Sequence, residues 1–169
     1  MLVFKLIIAI AIVVVCTALG ILKSKKYESR EYILREAIML FKGIKNEISY
    51  ALTPIPNAIE SVRQGMKTTL RDAMGAVSFE LLQYNTSSEA IANEIAALVE
   101  LTPYDKQVIT NGIISLGKTD IDGQMGVINM TCVTLENQLE DSIEAKKKNS
   151  KLYKTVGLAT GLMIAIVFI

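Results

Sequence analysis

The apolar positions of this chain follow two kinds of pattern. Leu6–Leu22 (LIIAIAIVVVCTALGIL) runs 17 residues without a charge, and Thr155–Ile169 (TVGLATGLMIAIVFI) runs 15. Between these two segments the apolar residues recur every three or four positions, the period of amphipathic helices, and period-2 alternation is absent. Glu28–Leu52 places Ile33, Ala37, Phe41, Ile44 and Ile48 on one stripe, widened by Leu34, Ile38 and Leu40. A short helix follows with Ile55, Ile59, Val62 and Met66, closed by Gly65. A third carries Leu70, Met74, Val77, Leu81 and Tyr84. A fourth carries Ile91, Ile95 and Leu98, and a fifth Val108, Ile109, Ile113 and Leu116. The sixth runs from Ile121 through Met125, Ile128, Cys132, Leu135, Leu139 and Ile143. It is expected to continue into the second apolar segment, as the first helix is expected to continue from the first.

The breaks between stripes have recognisable chemistry. Thr53-Pro54-Ile55-Pro56 interrupts the first helix, because proline lacks the amide hydrogen that a helix interior needs. Thr86-Ser87-Ser88-Glu89 predicts a capping box, with Thr86 capping and Glu89 reaching back. Thr102-Pro103-Tyr104-Asp105 predicts another, with proline at the first helical position. Gly117-Lys118-Thr119-Asp120 is the last break. Short amphipathic helices bury their stripes only by packing together. The expected fold is all-α: a compact bundle of about six helices between an N-terminal and a C-terminal transmembrane helix. The expected division is an anchor at 1–24, a bundle at 25–151 and an anchor at 152–169.

Charge then orients the layout. Apolar Met1–Phe4, joined across a snorkelling Lys5, brings the first segment to about the 20 residues that cross a bilayer. Lys23, Lys25, Lys26, Arg30 and Arg35 follow it; Lys146, Lys147, Lys148, Lys151 and Lys154 precede the second segment. Lys and Arg near transmembrane ends favour the cytoplasm, so both clusters point to a cytoplasmic bundle with both termini outside. A cleaved signal peptide is the competing reading of the first segment. Its weak basic n-region and its length favour an uncleaved anchor, and Val15 before Cys16 is a poor lipoprotein site. Gly157 and Gly161 form a GxxxG that lets membrane helices approach closely.

Composition narrows the chemistry. The chain is 51% hydrophobic with a net charge of +1 and a mean hydropathy of +0.38, which argues against nucleic acid as a partner. It has no His, so the commonest zinc ligand and any Ser–His or Cys–His nucleophile are missing. Asp120-Ile121-Asp122-Gly123 resembles part of a calcium loop, but aligning Gly123 with the loop glycine puts Lys118 at the first carboxylate position and Asn129 at the last. No phosphate-binding glycine fingerprint is present. Glu136 and Glu140 share an exposed helix face, which is ordinary solvated surface. The expectation is no enzyme, no cofactor, no metal and no catalytic residue.

Two local patterns carry a resemblance. Glu47-Ile48-Ser49-Tyr50-Ala51-Leu52-Thr53-Pro54-Ile55-Pro56-Asn57-Ala58-Ile59 resembles the E-I-x-Y-x-x-T-P-L-P-x-A-L stretch of the stage III sporulation protein AB family of endospore-forming bacteria. Leu116-Gly117-Lys118-Thr119-Asp120-Ile121-Asp122-Gly123-Gln124 resembles that family's L-G-x-x-D-x-x-G-Q turn. The lysine-rich run Lys146–Lys154 before an apolar tail is a softer match. The family is similar to the inner-membrane platform proteins of type II secretion and type IV pilus systems, whose cytoplasmic domains are six-helix bundles. The resemblance implies a non-enzymatic platform or adaptor in the channel complex between mother cell and forespore. It implies a place in the mother-cell membrane facing the forespore, oligomeric assembly, and other sporulation channel proteins as partners, including a secretion-type ATPase. The candidate contact residues are Thr53, Pro54, Pro56, Gly117, Asp120, Gly123 and Gln124. Each also suits a plain structural role: Thr53, Pro54 and Pro56 in starting a helix, Gly117 as the glycine after a helix, Asp120 as an N-cap. A two-helix channel subunit, or a membrane sensor unrelated to secretion platforms, is the alternative. The first would need polar groups inside its membrane helices, where only Cys16, Thr17 and Thr160 are present.

Overall fold

The computed structural model describes residues 2–83 and 87–168; the side chains at 2–12, 16, 19, 20, 23, 150, 153, 154, 157, 158, 161, 162, 165, 167 and 168 are outside the description. The described residues form six α-helices and no strand. They are α1 (Leu2–Ala51), α2 (Ile55–Arg63), α3 (Leu70–Leu82), α4 (Ser88–Ala96), α5 (Pro103–Ser115) and α6 (Ile121–Phe168). The expected continuation of the first and last helices into the terminal apolar segments is observed. Among the described residues, no helix is long and apolar enough to cross a membrane. Most side chains of Leu6–Leu22 and many of Thr155–Ile169 lie outside the described residues, so the expected anchors fall largely there.

The chain divides into two compact units, one of residues 1–29 with 141–169, the other of residues 30–140. In the first, Ser24 and Ser142 are each only 1% exposed. The second is the helical bundle. Of the chain's 18 Lys and Arg it holds nine, and of the 17 Asp and Glu it holds fourteen, a net −5 on a chain that sums to +1.

The stripes anticipated from spacing form the bundle core. Leu34, Ala37, Leu40, Phe41 and Ile44 of α1 are fully buried with Ile59 of α2, Leu70, Met74 and Val77 of α3, Ile95 of α4, Ile109 of α5, and Ile128 and Leu135 of α6. Each large side chain taken out of water this way stabilises the fold by about 1.5–3 kcal/mol. The outermost members of the stripes, among them Val62, Leu81, Val108, Met125 and Leu139, are half-buried against this core. Tyr84 lies outside the described residues.

Polar side chains pin the connections. Glu36 of α1 accepts hydrogen bonds from the Lys67 and Thr68 amides at 2.7 and 3.1 Å, fixing the α2–α3 turn against α1. Lys106 donates to the Ala96 carbonyl at 2.6 Å, satisfying the α4 C-terminus. Thr102 caps α5 as expected. Its hydroxyl accepts from the Asp105 amide at 3.2 Å, and the Asp105 carboxylate accepts from the Thr102 amide at 2.9 Å. The expected capping box of α4 is shifted by one residue. Ser87 is the N-cap, with its hydroxyl accepting from Ala90 at 3.0 Å. That register puts Ala90, which has no reciprocal acceptor, where the box needs Glu89.

Asp105 does more than cap. It is completely buried, and Arg30 of α1 donates to both of its oxygens, from Nε at 2.8 Å and Nη2 at 3.0 Å. Nη2 also donates to Gln138 Oε1 of α6 at 3.3 Å. One guanidinium thus ties α1, α5 and α6 together. Burial pushes the Asp105 carboxyl up, but the Arg30 and Thr102 hydrogen bonds and the Arg30 charge outweigh it and hold the group below the usual carboxylate value.

Candidate functional site

The two turns singled out by the sequence meet at one end of the bundle. A cleft of about 230 Å³ is lined by Ile48, Leu52, Thr53, Pro54 and Ile55 from the α1–α2 turn and by Ile121 and Gln124 from the start of α6. Neither motif alone implied that the other would be its neighbour.

The α1–α2 side is held by Glu47. The Glu47 carbonyl accepts from the Thr53 amide at 3.2 Å. Its carboxylate accepts from the Thr53 hydroxyl at 2.9 Å and from the Ser61 hydroxyl of α2 at 3.2 Å. Thr53 is therefore bound back to α1 and is not the helix cap; Pro54 is the N-cap residue of α2, without a side-chain cap. Its carbonyl accepts the Ala58 amide at 2.9 Å. Pro56, in the first turn of α2, is half-buried away from the cleft, and its carbonyl accepts from Ser78 of α3 at 3.0 Å. Between helix and turn stands Leu52, with φ of 52° and 70% exposed. A non-glycine residue in this left-handed region costs about 1–2 kcal/mol, so the tethers on either side, Glu47–Thr53 and the prolines, impose it.

The α6 side is built from caps. Gly117 has φ of 78°, the left-handed conformation that ends α5, and a Cβ there would also approach Ile55 Cδ1 to 3.0 Å. Asp120 is the N-cap of α6: its Oδ1 accepts from the Gly123 amide at 3.0 Å, and its carbonyl from the Gln124 amide at 2.9 Å. Gly123 lies so close beneath this cap that a Cβ would reach Thr119 Oγ1 at 2.7 Å and Asp120 Oδ1 at 2.9 Å. Gln124 donates from Nε2 to the Thr119 carbonyl at 3.0 Å, while its Oε1 is buried without a hydrogen-bond partner. The structural roles foreseen for Gly117 and Asp120 are thus real, and the same caps set the wall of the cleft.

Of the candidate contacts, Thr53, Pro54 and Gln124 line the cleft and Gly117 abuts it. Asp120 and Gly123 shape it from behind, and Pro56 faces α3. Glu47, Leu52 and Ile121 belong to this end as well. Glu47 and Leu52 sat inside the quoted motif but were not singled out, since a carboxylate six residues before a threonine has no local signature. Gly157 and Gly161 lie in α6, and their surroundings fall outside the described residues. The cleft contains no ionisable group that could take or give a proton. Among the described residues no group of His, Cys, Asp and Glu could hold a metal ion. The Cys132 thiol is pushed up by burial, which makes it less reactive. What this end offers is an apolar pocket with a few fixed polar atoms, suited to contact with another molecule.

The family model described as Stage III sporulation protein AB matches residues 5–169. The chain belongs to that family. It is similar to stage III sporulation protein AB of Bacillus subtilis (strain 168), 25% identical over 166 residues that cover 96% of this chain and 97% of the relative. The resemblance read from the two turns is borne out over nearly the whole chain. No solved structure matches.

Proposed function

We propose that the chain is a non-enzymatic, membrane-anchored platform subunit of the secretion-like channel complex between mother cell and forespore, and that it docks the complex's cytoplasmic ATPase. The observation that carries this reading is the meeting of the two family turns in one cleft. Loops on a rigid helical scaffold often carry contacts, and here two loops that resemble the family's most distinctive stretches form one surface. The bundle's net charge of −5 suits a partner whose contact face is basic. The absence of His from the sequence, and a cleft without an acid or base, favour binding over catalysis.

The docking test is Asp120→Ala combined with Gln124→Ala in the full chain. Losing the Asp120 cap costs about 0.5–2 kcal/mol, so folding is measured beside binding. The folded variant should lose affinity for the purified ATPase, and sporulation should stall after engulfment. Normal binding by a folded variant would move the contact elsewhere on the bundle.

Membrane anchoring rests on Leu6–Leu22 and Thr155–Ile169, and the orientation on the lysines beside them. With the bundle in the cytoplasm, a Cys placed at exposed Ser87 should react with a membrane-impermeant reagent only after permeabilisation. Labelling in intact protoplasts would overturn that orientation.

A further inference from the structure

Charge is divided unevenly between the two units of the chain. The bundle sums to −5, while the other unit, residues 1–29 with 141–169, carries nine lysines against Glu28, Asp141 and Glu144, a net +6. Eight of those lysines fall in two short stretches, Lys23, Lys25 and Lys26 on α1 and Lys146, Lys147, Lys148, Lys151 and Lys154 on α6. The bundle uses basic side chains internally: Arg30, Lys42, Lys45 and Arg63 are bonded to acceptors of the bundle itself. Lys25, Lys26, Lys147, Lys148 and Lys151 are exposed, and among the described residues none of these five has a hydrogen-bond or ion-pair partner. Exposed apolar side chains share their faces. Leu22, 61% exposed, precedes Lys25 and Lys26 by one helical turn, and Leu152 and Val156, 55% and 51% exposed, follow Lys148 by one and two turns. Residues three or four apart are neighbours on a helix surface, so on each helix free lysines and bare apolar side chains adjoin.

We infer that Lys25, Lys26, Lys147, Lys148 and Lys151 form a headgroup-binding collar that gathers anionic phospholipids around the chain. The inference rests on the membrane reading proposed above and adds lipid selectivity to it. Three observations select lipid phosphate as the occupant. The exposed apolar side chains lie on the side of the apolar segments and the lysines on the side of the bundle, the order in which a leaflet presents hydrocarbon, phosphate and water. A lysine stem lies along apolar surface while its ammonium reaches the phosphate layer. The five ammonium groups are unpaired point charges on flexible stems, which suits a fluid field of headgroups. A soluble polyanion such as a nucleic acid would be repelled by the −5 of the bundle, whereas lipid phosphates stay at the depth that the apolar segments set. Each lysine near an anionic surface favours association by about fivefold. The collar is separate from the turn cleft and stands whether or not that cleft docks an ATPase.

The test is the full chain reconstituted into phosphatidylcholine vesicles that carry a trace of spin-labelled phosphatidylglycerol or, in a parallel sample, of spin-labelled phosphatidylcholine. Electron spin resonance reads the fraction of each label immobilised by the protein. At low salt the anionic label should associate at least about threefold more tightly than the neutral one, and salt at about 1 M should bring the two together. Lys147→Gln, Lys148→Gln and Lys151→Gln combined should remove most of the preference, and the same three positions changed to Arg should keep it. Lys67→Gln with Arg71→Gln, exposed in the bundle, should leave it unchanged. Equal association of the two labels with a chain that resists carbonate extraction would overturn the collar and leave the anchors standing. A chain that carbonate strips from the vesicles would overturn both. A preference that survives the three Gln changes, or that inorganic phosphate abolishes at constant ionic strength, would overturn the assignment of these lysines to lipid.

Discussion

Replacing Asp105 with Ala tests whether the three-helix tie at Arg30 holds the bundle together. The carboxylate is 0% exposed and receives two hydrogen bonds from Arg30 and one from the Thr102 amide. Its loss leaves a guanidinium whose side chain is only 14% exposed, with Gln138 at 3.3 Å as its remaining neutral acceptor. Breaking a buried pair from one side costs about 3–5 kcal/mol, because the surviving charge stays desolvated. In a chain of this size that corresponds to a fall in melting midpoint of roughly 10 °C, read by circular dichroism. Arg30→Met should be about as damaging. The double variant Arg30→Met with Asp105→Leu should be far milder than the sum, since neither charge is then stranded. The pair also gives the wild type an acid limb. The folded carboxyl titrates below its unfolded value of about 3.9. Its contribution is therefore complete above that value and is lost as pH falls through the depressed folded value. Asp105→Asn should lack this component. A loss under about 1 kcal/mol for Asp105→Ala, or additive single variants, would show that the tie is incidental.

Two further perturbations test the core and the turn. Leu135→Asp places a carboxylate at a fully buried position and should cost at least about 4 kcal/mol, whereas Glu136→Lys, next to it on the exposed face, loses only the exposed pair with Lys42 and should cost no more than about 1 kcal/mol; equal midpoints would refute the assigned face of α6. Leu52→Gly removes the steric cost of a left-handed leucine, about 1–2 kcal/mol, against a glycine entropy term of about 0.5–1 kcal/mol. The variant should melt at or slightly above the wild type, and a fall of more than about 1 kcal/mol would mean that the leucine side chain itself holds the turn.

Local chemistry was legible in the sequence, and long-range chemistry was not. The Thr102–Asp105 capping box was readable because both partners sit within four residues. The same reasoning slipped by one residue at Thr86-Ser87-Ser88, where consecutive hydroxyls offer alternative caps that spacing alone does not rank. Helix spacing identified the buried stripes because burial repeats with the helical period. It was silent about Arg30, whose partner lies 75 positions away and whose position looked like part of a membrane-flanking basic run. The left-handed backbone at Leu52 also left no trace, since no glycine marks it and the strain is imposed by Glu47, Thr53 and the prolines together. The candidate turns were visible one at a time; their shared cleft exists only because α1 and α6 lie antiparallel, as the Lys42–Glu136 and Ser49–Met125 contacts show.

That antiparallel partnership sets when the whole α1 stripe of a growing chain can be covered. The α1 stripe from Ile33 to Ile48 is made early, yet Ile128, Cys132 and Leu135, which help to cover it, are among the last bundle residues to be synthesised. Glu36 and Glu47 tie α1 to the α2–α3 turn and to α2 early, but the part of its stripe that faces α6 must wait for the sixth helix. A ribosome-bound chain halted after Leu116 would therefore present an unfilled apolar seam to chaperones or to other nascent chains. Completion of α6 closes the last uncovered part of the α1 stripe.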